Sequence, residues 1–113
     1  MDRLFFCQSV DALLKVHSVV ALLGPRQCGK TTLARDYVRY RRRKSVFFFD
    51  LEDPIDLAKL QNPRLVLAPL KGLIVIDEIQ RVQELFPVIR VLVDQNPSQK
   101  FLILGSEIGR AHV

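Results

Sequence analysis

Lys30 and Thr31 close the stretch Gly24-Pro25-Arg26-Gln27-Cys28-Gly29-Lys30-Thr31, whose fixed positions fit G-x-x-x-x-G-K-[ST]. Those residue types at that spacing hold phosphate. Backbone N–H groups of such a loop and of the helix after it converge on one concavity and carry partial positive charge. Gly24 and Gly29 permit backbone conformations that a Cβ would block and let the chain approach an anion closely. The Lys30 ammonium is expected on the β- and γ-phosphates of a nucleotide, and the Thr31 hydroxyl on Mg2+. Thr32 is expected to support the helix start. A glycine turn capping an ordinary helix is the plainer alternative.

A second group of the same kind stands at Asp77-Glu78, directly after the apolar run Leu73-Ile74-Val75-Ile76. An unbroken apolar run fits a strand buried on both faces. A carboxylate at its tip can hold Mg2+ alongside Thr31. Glu78 is placed to polarise an attacking water as general base. Two acids in a loop after a strand is the alternative, but the pairing of the two motifs is far more specific than either alone. A glutamate after the metal-binding aspartate favours hydrolysis over small-molecule phosphorylation. ATP is expected rather than GTP, because the guanine-reading Asn-Lys-x-Asp pattern is absent: Asn62 and Asn96 both precede proline.

The elements that must position these groups alternate. Val19 to Leu23 reads as a buried strand before the loop, and Thr32 to about Arg42 as the helix after it. An amphipathic helix is expected earlier, from Ser9 to Val16 with Ser9 as a candidate cap. His17 then reads as a solvated turn residue. Val46-Phe47-Phe48-Phe49, ending at Asp50, reads as a second buried strand. Asp50, Glu52 and Asp53 cluster at its end, where ligands bind in open α/β sheets, and a Mg2+-side role is one reading of them. Asp53 before Pro54 also makes a good helix N-cap. Short helices over Ile55–Leu60 and Arg64–Ala68, the strand at 73–76, a helix over Leu85–Val93 with Pro87 in its first turn, and a strand at Phe101–Leu104 complete the series. Such alternation implies a parallel three-layer α/β sheet.

The chain has 113 residues, 49% of them apolar, which suits one domain or part of one. No apolar run approaches the ~18 residues that span a bilayer. The N-terminus does not read as a signal peptide. Cys7 and Cys28 are too few for a disulfide framework or a four-cysteine zinc site, and a reducing, cytoplasmic setting is expected. The net charge of +5 has a local source: Arg39-Tyr40-Arg41-Arg42-Arg43-Lys44 carries five positive charges, and without it the net would be zero. That run reads either as the solvated C-terminal end of a helix, where cations suit the dipole, or as a nucleic-acid patch.

Taken together, residues 24–34, Asp50-Leu51-Glu52-Asp53-Pro54, Ile76-Asp77-Glu78-Ile79-Gln80-Arg81 and Phe101-Leu102-Ile103-Leu104-Gly105-Ser106 resemble prokaryotic AAA-type ATPases whose N-terminal ATPase domain precedes a nuclease-like C-terminal domain of unknown function. The resemblance spans residues 3 to 106. It implies a three-layer P-loop NTPase fold with a mostly parallel sheet, ATP and Mg2+ as ligands, and ATP hydrolysis. In the wider class a polar residue after the strand inserted between the two motif strands senses the γ-phosphate, which implies that role for Ser106. Where the family has a small aliphatic residue this chain has Cys28, a thiol near a helix N-terminus and Lys30 that is open to oxidation. Apart from the resemblance, a nucleic-acid partner bound through Arg39–Lys44, or a protein partner, is a further expectation.

The family continues past Gly105-Ser106 with small and apolar residues, whereas this chain reads Glu107-Ile108-Gly109-Arg110-Ala111-His112-Val113. Those seven residues can be encoded by a DNA string that contains the start of a widely used short-read sequencing adapter. Residues 1–106 are therefore expected to be a partial ATPase domain, truncated after the fourth strand, and 107–113 a non-native tail. A sheet that stops there leaves the phosphate-loop strand as an apolar edge, and an incomplete fragment is expected to be poorly stable and a weak ATPase.

Overall fold

The computed structural model describes residues 3–25, 29–41 and 45–106. Helix α1 (Arg3–Val16) leads into strand β1 (Val19–Gly24), and α2 (Lys30–Arg41) into β2 (Val46–Asp50). Two short helices, α3 (Pro54–Lys59) and α4 (Pro63–Leu67), precede β3 (Leu73–Asp77). A 3-10 turn (Ile79–Arg81), α5 (Leu85–Gln95) and β4 (Lys100–Ser106) follow. The strands form one sheet in the order β1-β4-β3-β2, and every pairing is parallel. This is the α/β sheet expected of a P-loop NTPase, with β4 inserted between the two strands that carry the motifs.

Period-two alternation sorts the apolar residues into two layers. Leu73 and Val75 of β3 with Leu102 and Leu104 of β4 pack on Cys7, Val10 and Leu14 of α1 and on Ala34 and Tyr37 of α2. Ile74, Ile76, Phe101 and Ile103 point the other way, onto Leu60, Leu67, Leu85, Ile89 and Leu92. The residues of β3 are buried throughout, as the unbroken apolar run requires. At its start Gly72 has φ +125°, and a Cβ there would lie 2.5 Å from the Ser45 carbonyl oxygen, so only glycine fits.

Strand β1 departs from the buried strand that its sequence suggests. Val20 is buried and Leu22 packs beside it, but Ala21 is exposed and Leu23 is 58% exposed. Among the described residues β1 pairs with β4 alone, and helices α3 to α5 cover the strands farther along the sheet. Among the described residues β1 is thus an edge strand, with Ala21 and Leu23 exposed on it.

Helix α1 is longer than its periodicity suggests: it begins at Arg3, so Ser9 lies inside it and caps nothing. An ion pair from Arg3 to Asp36 of α2, at 3.1 Å, ties down the added turns. His17 is exposed just after the helix, with its N–H donated to the Leu13 carbonyl. Asp53 is the N-cap of α3: its Oδ1 accepts from the Ile55 N–H at 2.9 Å, with Pro54 opening the helix.

Tyr37 joins the first layer together. It is fully buried, donates its hydroxyl to Asp11 Oδ1 at 2.7 Å, and accepts from Arg41 at 3.1 Å. Burial pushes its phenol up from 10.0 to about 12; the hydrogen bond from Arg41 opposes that rise and Asp11 reinforces it. Because the folded value is raised, stability from the neutral phenol is fully present below pH 10 and lost as pH rises through about 12. Urea midpoints should fall across that window, and Tyr37→Phe should fall less. Equal losses in the two proteins would show that Tyr37 is not the titrating group.

Candidate functional site

The strands all end on one edge of the sheet, and parity chooses the face. Asp77 continues the series Leu73, Val75; Ser106 continues Leu102, Leu104; Gly24 continues Val20, Leu22. All three therefore lie on the α2 side of the sheet, at the carboxyl ends where ligands bind in open α/β folds. Gly24 stands opposite Ser106 in the β1–β4 register, and Asp50 opposite Asp77 in the β2–β3 register.

The phosphate loop joins β1 to α2 in the strand–loop–helix order that its sequence demands. Gly29 has φ +87°, a conformation that a side chain resists, and its carbonyl accepts the Leu33 N–H at 3.0 Å to start the α2 ladder. Lys30 is the first residue of α2, and its ammonium donates to the carbonyls of Gly24 at 3.2 Å and Pro25 at 3.0 Å. The cation thus lies against the end of β1, at the positive end of the α2 dipole. Thr32 is exposed in the first turn of α2. Arg26, Gln27 and Cys28, and with them any role of the Cys28 thiol, lie outside the described residues, as do 107–113.

Thr31 meets the second motif. Its hydroxyl donates to Asp77 Oδ2 at 2.6 Å, across 46 positions of sequence. Asp77 is 3% exposed, and its Oδ1 has no hydrogen-bond partner. Burial pushes the Asp77 carboxyl up from the usual aspartate value; the Thr31 hydrogen bond opposes this, and the charges of Glu78 and Asp50 add to it. A buried carboxylate oxygen without a partner, next to an alcohol oxygen, is a donor set that a hard divalent cation satisfies. The described residues contain no cluster of three or more His, Cys, Asp or Glu that could hold a metal.

Glu78 follows β3, just before the 3-10 turn, with φ 60° and ψ 47°, the left-handed region. A non-glycine residue held there costs of order 1–3 kcal/mol and persists only where its surroundings impose it, commonly at functional sites. Its Oε1 accepts from Gln80 Nε2 at 2.6 Å. The same amide nitrogen lies 3.3 Å from Ser106 Oγ, and the Ser106 N–H donates to Gln80 Oε1 at 3.4 Å. Glu78 and Ser106, proposed from sequence as base and sensor, are thus brought together by a residue to which sequence reasoning gave no role. Its place in the run Ile76–Arg81 that carries the resemblance, two positions after the glutamate, was the available signal.

The other acids near the site are otherwise engaged. Asp50 Oδ1 accepts the Glu52 N–H at 3.0 Å, and Glu52 lies 3.9 Å from Arg81. In the basic run Arg39 pairs with Asp36 and Arg41 donates to Tyr37, while 42–44 lie outside the described residues. Among the described residues no helix is long and apolar enough to cross a membrane.

Comparison with known proteins agrees with this geometry. A family model described as an AAA domain matches residues 16–111. Two proteins described as uncharacterized, one from Mycobacterium bovis and one from Mycobacterium tuberculosis, are each 52% identical over 89 residues. Those residues are 78% of this chain but 20% of each relative, so the chain spans about a fifth of the length of the curated relatives it matches. With the family model covering most of its length and both motifs meeting at one sheet edge, the chain belongs to the AAA domain family.

Proposed function

We propose that this chain binds Mg·ATP at the β1–α2 loop and hydrolyses its terminal phosphoanhydride. The observation that carries the reading is the 2.6 Å hydrogen bond between Thr31 and Asp77, which joins the two nucleotide motifs. Loop amides and the α2 N-terminus cradle the phosphates through Gly24–Thr32, and Lys30 exchanges its present carbonyl partners for β- and γ-phosphate oxygens. Thr31 and Asp77 would hold Mg2+, which when bound offsets charge on the β- and γ-oxygens. Glu78 accepts a proton from water as the water oxygen bonds to the γ-phosphorus and the bond to the ADP oxygen breaks. Ser106 donates its hydroxyl to a γ-phosphate oxygen. ADP, inorganic phosphate and a proton are the products.

Binding measured by titration calorimetry tests this directly. Mg·ATP should bind at least about tenfold more tightly than AMP, since AMP forfeits the charge-assisted bonds at the β- and γ-positions, each of order 1.5–3 kcal/mol. Chelating Mg2+ should weaken ATP further. Equal affinity for ATP and AMP would sink the proposal.

A further inference from the structure

Gln80 lies in the 3-10 turn after Glu78, and its carboxamide spans the gap between the tips of β3 and β4. A primary amide has two N–H donors and one acceptor oxygen, so it can serve Glu78 Oε1, Ser106 Oγ and the Ser106 N–H together. The opposite placement of nitrogen and oxygen would set an oxygen against the Glu78 carboxylate and a donor against a backbone donor. The contacts therefore fix the orientation of the amide. Space for it comes from Gly105, where a Cβ would lie 2.8 Å from Gln80 Oε1 and 3.3 Å from Ile79 Cγ2.

We infer that Gln80 is a positioning residue that fixes the Glu78 carboxylate and couples it to Ser106, so that engagement of Ser106 by a γ-phosphate is transmitted to the base. The inference rests on the ATP-hydrolysing reading of the site. The three bonds are unequal: that to Glu78 is 2.6 Å, while those to Ser106 are 3.3 and 3.4 Å. The amide is thus held at the glutamate end and loosely engaged at the serine end. A serine hydroxyl that accepts from Gln80 keeps its own proton available to a phosphate oxygen. Drawing Ser106 toward phosphate shifts the loose end of the amide, and the tight end carries that shift to Glu78. Gly105 belongs to the same device, because a Cβ there would lie 2.8 Å from Gln80 Oε1 and would displace the amide.

Two measurements on the 113-residue chain test this, one of them without nucleotide. In the free protein the Gln80 side-chain amide resonances should be displaced from those of a solvated glutamine, and should move in Glu78→Ala and in Ser106→Ala. With ATP, Gln80→Ala and Gly105→Ala should each lower the single-turnover hydrolysis rate about 10- to 100-fold, the scale of a misplaced catalytic group. The ATP dissociation constant should stay within about threefold, because neither residue is placed on the phosphates. Gln80→Asn, one methylene short, should fail to restore the rate. Gln80→Ala combined with Ser106→Ala should cost less than the sum of the two single losses. Unperturbed Gln80 amide signals, an unchanged rate in Gln80→Ala, or strict additivity with Ser106→Ala would each overturn the coupling while ATP binding stands. Failure of the wild-type chain to bind ATP would instead overturn the functional reading itself.

Discussion

Lys30→Ala should weaken ATP binding by about 10- to 100-fold or more, with little change in folding stability. The first half follows from charge: the ammonium is expected to contact two phosphates, and hydrogen bonds to charged groups contribute about 1.5–3 kcal/mol each. The second half follows from its present partners. Lys30 donates to the carbonyls of Gly24 and Pro25, at 3.2 and 3.0 Å, on a loop where Pro25 and Gly29 are exposed. Water can replace the ammonium at both carbonyls, so the loss is of the order of an ordinary hydrogen bond, about 0.5–1.5 kcal/mol. Lys30→Arg keeps the charge but presents a planar fork where a compact ammonium is called for, and should recover only part of the affinity. Calorimetric titration beside urea denaturation reads both halves. An unchanged ATP affinity in Lys30→Ala would remove the loop from the binding site.

The two motifs could be read in the sequence because their chemistry is local. A glycine loop before a helix and an acidic pair after an apolar run each declare themselves within a few residues. Their meeting at Thr31 and Asp77 follows from strand parity once β3 is recognised. The strand order was legible for a different reason: it came with the family resemblance, and no pattern in the residues themselves places β4 between β1 and β3. Gln80 was not legible. Its role needs Glu78 to turn left-handed and Gly105 to leave space 25 residues away in sequence, and neither is a property of any one stretch. The start of α1 was missed because the ion pair that supports it, Arg3 with Asp36, is equally non-local. The exposure of β1 was half legible: its apolar run suggested burial, and only pairing decides which of its residues are covered.

Glu78→Gln should leave ATP affinity within a few-fold of wild type and lower the single-turnover hydrolysis rate by about 10²- to 10⁴-fold, the range for a positioned general base. The substitution separates two duties of one side chain. Glutamine keeps the length and shape of glutamate, and its carbonyl oxygen can still accept the Gln80 N–H that now lies 2.6 Å from Glu78 Oε1. Positioning is therefore preserved, and only the capacity to take a proton from water is lost. The left-handed backbone at Glu78 disfavours both residues alike, so folding stability should change little. Removing a charge near Asp77 also relieves the carboxyl that Glu78 helps to push up, which favours the ionised Asp77 and should if anything help metal binding. A drop in ATP affinity would therefore point away from Glu78 as base and toward a structural role. Glu78→Asp makes the complementary change, keeping a carboxylate but drawing it back by one methylene from water and from Gln80. If position matters as much as basicity, it should be impaired nearly as much as glutamine. If Glu78→Gln hydrolyses ATP at the wild-type rate, the proton goes elsewhere and the base must be sought among other groups at the strand tips.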